Sequence, residues 1–152
     1  METIKRNVEA SAIKAGIITF FGLVGYFFLM KLFGLSHVLE LRFLNFIILA
    51  TGITYGIVRH KKELHENDFY LQGLAQGVYV AVISVGLFAA FMAIYLSFFD
   101  LALLEEIKFR APMGFPVTGL TIFGALVMEG MASGAIISFI AMQYLKTVRP
   151  GE

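Results

Sequence analysis

Cysteine and tryptophan are both absent from this chain of 152 residues, and proline and histidine occur three times each. Without cysteine there is no disulfide framework, thiolate nucleophile, iron–sulfur cluster or cysteine-based zinc site. His37, His60 and His65 all fall between the apolar runs, never deep inside one. A self-contained bis-histidine haem anchor is therefore not expected, nor is a serine–histidine nucleophile held at one depth. Without tryptophan, anchoring at the membrane interface falls to Tyr, Phe, Lys and Arg. Charge is scarce as well. Charged residues make up 15% of the chain, against about 25% in an average soluble domain. A net charge of +1 argues against a nucleic-acid partner. No cofactor and no metal is expected.

What remains is apolar. Hydrophobic residues make up 59% of the chain and mean hydropathy is +0.81, the composition of an integral membrane protein. A helix needs about 20 apolar residues to cross a hydrocarbon core of roughly 30 Å. Four runs are candidates, over residues 15–35, 43–58, 70–99 and 116–145. The second is short and needs Arg42 and Arg59 to reach for the headgroups, or a locally thinned bilayer. The third and fourth are long enough to predict tilt or protrusion. Lys31 is close enough to the end of the first run to snorkel. Pro116 suits the first turn of the fourth, where its missing N–H is no loss. The first run is too long for the apolar core of a cleaved signal peptide, and no small-residue cleavage site follows it. The expectation is an all-α, polytopic four-helix transmembrane bundle forming a single domain over residues 1–152.

Lysine and arginine orient it. Lys5, Arg6, Lys14, Arg59, Lys61, Lys62, Lys146 and Arg149 collect on one side of such a bundle, while Lys31, Arg42, Lys108 and Arg110 fall on the other. Positive loops stay inside, so both termini and the loop over residues 59–68 are expected in the cytoplasm.

Glu129 is the most informative residue. No other charge lies between Arg110 and Lys146. A carboxylate at the centre of a membrane span costs about 2.5–3.5 kcal/mol on insertion scales, so such a group usually faces a bundle interior or a watery cavity. Apolar surroundings favour the neutral acid over the carboxylate. Tyr26, Thr51 and Ser84 fall near the middles of the other spans and are candidate hydrogen-bond partners. Two readings stay open. Glu129 is a proton- or cation-coupling site, or it is a neutral group bonded within the bundle or to a cation on a partner subunit.

Small residues four apart recur at Gly52/Gly56, Gly73/Gly77 and Gly130/Gly134. This spacing lets helix backbones approach closely, either inside one bundle or across a dimer seam. Gly16 and Gly25 also recur as Gly77 and Gly86 at a constant offset, a hint of two related helical hairpins. In the segment 100–110, Leu101, Leu104 and Ile107 recur at helical spacing beside Asp100, Glu105, Glu106 and Lys108. It reads as a short external amphipathic stretch that lies on the membrane surface or docks a partner. Phe88, Phe91, Tyr95 and Phe98 make an aromatic stripe suited to lipid contact or core filling. His60, Glu63, His65, Glu66 and Asp68 make a solvated loop, because the two histidines are five apart and share no helix face.

The order of these features is suggestive. Gly52-Ile-Thr-Tyr-Gly56-Ile-Val-Arg59 closes the second span, and Asp68-Phe-Tyr-Leu-Gln-Gly-Leu-Ala-Gln-Gly77 opens the third. That span ends in Ile94-Tyr-Leu-Ser-Phe-Phe-Asp100, with an acidic, leucine-rich stretch to Ile107. The chain resembles an uncharacterised domain-of-unknown-function family of small four-helix bacterial inner-membrane proteins. Glu129 lies outside that pattern. The resemblance implies an architecture and an inner-membrane location, and no activity. Short loops, the lack of cofactor ligands and several close-packing faces suggest a non-catalytic accessory or scaffold subunit of a larger complex. Its surroundings are then the lipid bilayer and either partner subunits or further copies of itself. The alternative is a small oligomeric transporter or channel in which Glu129 is the coupling carboxylate. A membrane enzyme comes third.

Overall fold

The computed structural model describes residues 2–34, 42–60, 69–110 and 116–147. Among these the chain forms five helices: α1 (Glu2–Leu32), α2 (Arg42–His60), α3 (Phe69–Phe98), α4 (Leu101–Arg110) and α5 (Gly119–Thr147). Three contain stretches long and apolar enough to cross a membrane, Glu9–Leu32, Tyr70–Phe98 and Gly119–Leu145. The apolar part of α2, Phe43–Arg59, is shorter. The described residues are all-helical apart from short connections, α4 falls on the segment read as a short amphipathic stretch, and the three long apolar helices point to a membrane protein.

Local chemistry sets the helix ends. Helix α1 stops where Gly34 takes a left-handed conformation with φ 67°, which costs glycine nothing sterically. Its N–H closes on the Lys31 carbonyl at 3.0 Å, the kind of glycine stop that satisfies a helix's last carbonyls. Asp100 caps α4. Its Oδ1 accepts the Leu103 N–H at 3.1 Å and its carbonyl accepts the Leu104 N–H at 3.1 Å, as an N-cap residue does. Thr118 caps α5 reciprocally with Thr121. The Thr121 hydroxyl takes the Thr118 N–H at 2.7 Å, and the Thr118 hydroxyl takes the Thr121 N–H at 3.3 Å. This is the logic of a capping box with threonine in the glutamate position. Pro116 therefore precedes the helix instead of opening it, because the threonine pair supplies the start.

Helix α3 is the hub, packing on α1, α2, α4 and α5. Its seam with α5 has a four-residue register. Gly73 faces Met142, Gly77 faces Ser138, Ala81 faces Gly134 and Val85 faces Gly130. The helices are antiparallel, and every one of these contacts sets a glycine against a side chain. Van der Waals contact between close backbones is the main attraction between helices in lipid, and the glycines supply that closeness. The α1–α2 seam is built alike: Ala15 meets Gly56, Thr19 meets Gly52 and Gly22 meets Ile48. Helices α1 and α3 run parallel, from Gly16 against Ile83 to Lys31 against Asp100.

Packing is uneven along the bundle. The buried core gathers where α1 and α3 begin and α2 and α5 end, around Ala12, Ile53, Ile57, Val80, Ala81 and Met142. At the opposite end α1 and α3 join through aromatic rings. Phe91 stacks on Tyr95 with centroids 5.7 Å apart, and Phe27 meets Tyr95 edge-on at 5.4 Å. Phe88 is buried and Phe98 exposed, so the aromatic stripe divides between core and surface. Residues 119–133 of α5 include no buried residue.

Candidate functional site

The seam determines which way Glu129 points. Gly130, Gly134 and Ser138 occupy the side of α5 that meets α3. At about 100° per residue, Glu129 falls on the opposite side with Ala125, Ala132 and Ile136, and all four are exposed. The physical reason lies in the seam, where Gly130 and Gly134 face α3 because a Cβ at either would collide with Val85 or Ala81. At about 1.5 Å per residue, Glu129 stands about 15 Å along the axis from Gly119 and about 24 Å from Leu145. The carboxyl group is thus near mid-depth on the outer surface of the chain. The expected placement in a bundle interior does not hold for a single copy.

The other polar residues of the spans lie elsewhere. Ser84 is buried in α3, and its hydroxyl donates to the Val80 carbonyl at 2.8 Å. Thr51 is on the exposed side of α2 and donates to the Ile47 carbonyl at 2.8 Å. Both protons are committed to their own helices, a common way for Ser and Thr to be satisfied within an apolar helix. Tyr26 is half-buried on α1. Three buried polar residues escaped the sequence reading. Thr19 and Ser138 donate to the carbonyls four residues back, at 2.8 Å and 2.7 Å. Gln76, one residue before Gly77, is completely buried. An amide inside an apolar span and beside a GxxxG pair was the available signal.

A second polar constellation closes the far end of the bundle. Lys31 Nζ lies 2.8 Å from Asp100 Oδ2, donates to the Tyr95 hydroxyl and sits 4.8 Å above the Tyr95 ring. The cation also occupies the last turn of α1, where the helix dipole favours it. The Lys31 ammonium, aided by the Leu103 N–H, holds the Asp100 carboxyl below the ordinary carboxylate range against the opposing effect of burial. Asp100 therefore ties three helices: it caps α4, ends α3 and grips α1. In sequence, Lys31 and Asp100 each sit near the end of an apolar run, and this shared position was the clue to their pairing.

Of the amphipathic residues on α4, Leu104 is buried, Ile107 is half-buried and Leu101 is exposed, and α4 packs on α3. Leu104 is used within the chain, so the three do not form a continuous free docking stripe. The loop carrying Glu63, His65, Glu66 and Asp68 lies outside the described residues. Among the described residues no group of three His, Asp or Glu side chains is placed to hold a metal.

Compared with protein-family models, curated proteins and solved structures, the chain matches none. The reading of the site rests on its own geometry.

Proposed function

We propose that this chain is a non-catalytic accessory or scaffold subunit of a larger complex in a bacterial inner membrane. In this reading α1, α2, α3 and α5 all cross the bilayer and both termini lie in the cytoplasm. The antiparallel register of α2 along α1, from Gly56 at Ala15 to Ile48 at Gly22, supports counting the shorter α2 as a crossing. The division of lysine and arginine between the two ends supports the orientation.

The observation that carries the reading is the exposure of Glu129 at mid-depth on α5. Facing lipid, a carboxylate there costs about 2.5–3.5 kcal/mol. A protein neighbour covering that face takes the group out of contact with lipid. The outer face of α5 is thus suited to contact inside an assembly. Purification from native membranes in mild detergent, followed by native mass spectrometry, tests this. The expected result is the 16.9 kDa chain in a stoichiometric assembly with other membrane subunits. A monomer in native lipid would sink the reading. A lone homo-oligomer that moves protons or cations into vesicles would favour the transporter alternative.

A further inference from the structure

Helices α3 and α5 are longer than a bilayer needs. Their apolar stretches have 29 and 27 residues, which is about 40 Å or more against a hydrocarbon core of roughly 30 Å. The surplus must tilt or protrude, and the exposed side chains point to one end. The seven most exposed large apolar side chains among the described residues are 74–92% exposed. Six of them, Leu32, Phe43, Phe98, Phe99, Phe109 and Leu120, gather at the Lys31–Asp100 end. Leu120 joins them because Gly119 lies against Ala93 and Ser97, and Phe43 because α2 runs antiparallel to α1 from Ile48 against Gly22. Every helix contributes, so these residues ring the bundle. A protein neighbour would cover one side of such a ring. Lipid covers all sides at one depth, and aromatic rings concentrate where a bilayer meets water.

Resting on the reading that α1, α2, α3 and α5 cross the membrane, we infer that this ring marks one bilayer surface and that α3 and α5 protrude from the other. Helix α4 starts at the ring and lies along that surface, with Phe109 in lipid. The opposite end fits this placement. A core of roughly 30 Å is about 20 residues deep, which counts from Phe98 back to Val78, from Leu32 back to Ala12 and from Leu120 on to Ile140. Exposed Lys14 and Arg59 stand beside that level, Arg59 being two residues past Ile57, which meets Gly77. The shorter α2 therefore reaches from the ring, at Phe43, to the second surface. All three glutamines of the chain, Gln72, Gln76 and Gln143, lie beyond that level. Gln76 is completely buried between helices, and Gln143 Nε2 donates to the Tyr70 hydroxyl at 3.4 Å. Amides are costly to bury in hydrocarbon, and here they stand outside it.

The absence of tryptophan makes the test direct. Phe21→Trp, Phe98→Trp, Phe109→Trp and Tyr144→Trp, all at exposed positions, are made separately in the full chain. Each is reconstituted in phosphatidylcholine vesicles whose acyl chains carry bromine, a contact quencher, either near the headgroup or near the chain end. Phe21 lies about 16 Å before Leu32 along α1 and is the mid-depth control. Its tryptophan should be quenched most by bromine near the chain ends. Tryptophan at 98 or 109 should be quenched most by bromine near the headgroup and be shielded from aqueous iodide. Tryptophan at 144 should be open to iodide and quenched least by either lipid. Acyl-bromine quenching of Tyr144→Trp as strong as that of Phe98→Trp would overturn the protrusion. Iodide access without lipid quenching at 98 would overturn the ring, and the same result at 109 would overturn the placement of α4. Shielding of these two positions from iodide and bromine alike would show protein, not lipid, covering the ring. Each of these failures leaves the crossing intact while Phe21→Trp is quenched by the chain ends. Escape of Phe21→Trp from both brominated lipids would sink the crossing itself.

Discussion

Replacing Gly134 by alanine should loosen the α3–α5 seam, although helix propensity alone predicts the opposite. In a helix interior, glycine is worse than alanine by about 1 kcal/mol. At Gly134 the added methyl group would land on Cβ of Ala81. That atom is fixed to the α3 backbone and has no rotamer by which to move aside. Ile53 Cδ1 and Ala81 Cα stand behind it at 3.7 Å and 3.8 Å from the new atom, so the methyl group has no other space. The two helices must separate within a seam whose neighbouring contacts, Gly130 on Val85 and Gly77 on Ser138, are equally close. Overpacking of this kind costs about 1–3 kcal/mol. Gly124→Ala on the same helix is the control, because a Cβ there meets nothing within 4 Å. Both variants share the propensity gain, so the difference between them isolates packing. We expect Gly134→Ala to be less stable than Gly124→Ala by about 1–3 kcal/mol, and Gly134→Leu to lie at or beyond the upper end. The assay is reversible unfolding in mixed micelles with rising dodecyl sulfate, followed by far-ultraviolet circular dichroism. Equal midpoints for the two alanine variants would refute the close-packing argument.

Two further outcomes follow from the charges. The folded carboxyl of Asp100 titrates below the ordinary range, so its contribution to stability is complete above the unfolded value and is lost as pH falls through the folded one. Acidification from neutral pH should weaken the wild-type junction of α1, α3 and α4. Asp100→Asn, which can still cap α4, should lack that component of the acid response, as read by amide hydrogen exchange in residues 95–105. An identical acid profile in the two proteins would show that the pair does not couple to folding. For topology, reporter fusions after Glu152 and within residues 61–68 should report cytoplasm, and a fusion near Glu105 should report the outside. An external C-terminal reporter would reverse the arrangement.

Composition and spacing were enough to determine several properties of this protein. With 59% hydrophobic and 15% charged residues, long apolar helices in a membrane are the outcome that leaves no backbone group unsatisfied. The four-residue spacing of glycines announced close helix contact, and Thr118 with Thr121 offered a helix start that the reading of Pro116 passed over. Which helices the glycines join was not legible. Gly73 and Gly77 could have met any neighbour until the fold set them against Met142 and Ser138.

The direction of Glu129 was hidden for a deeper reason. In a soluble helix, hydropathy marks the inward face because water and core differ in polarity. In a membrane helix, lipid and core are both apolar, so hydropathy hardly distinguishes the two faces. Rotation about the axis is then decided by shape, by which residues are small enough to let two backbones touch. Gly130 and Gly134 turn toward α3, and Glu129, one residue from Gly130, is carried to the outside. The sequence showed by itself that a carboxyl group lies within an apolar span. Only close packing in three dimensions decided that it faces outward.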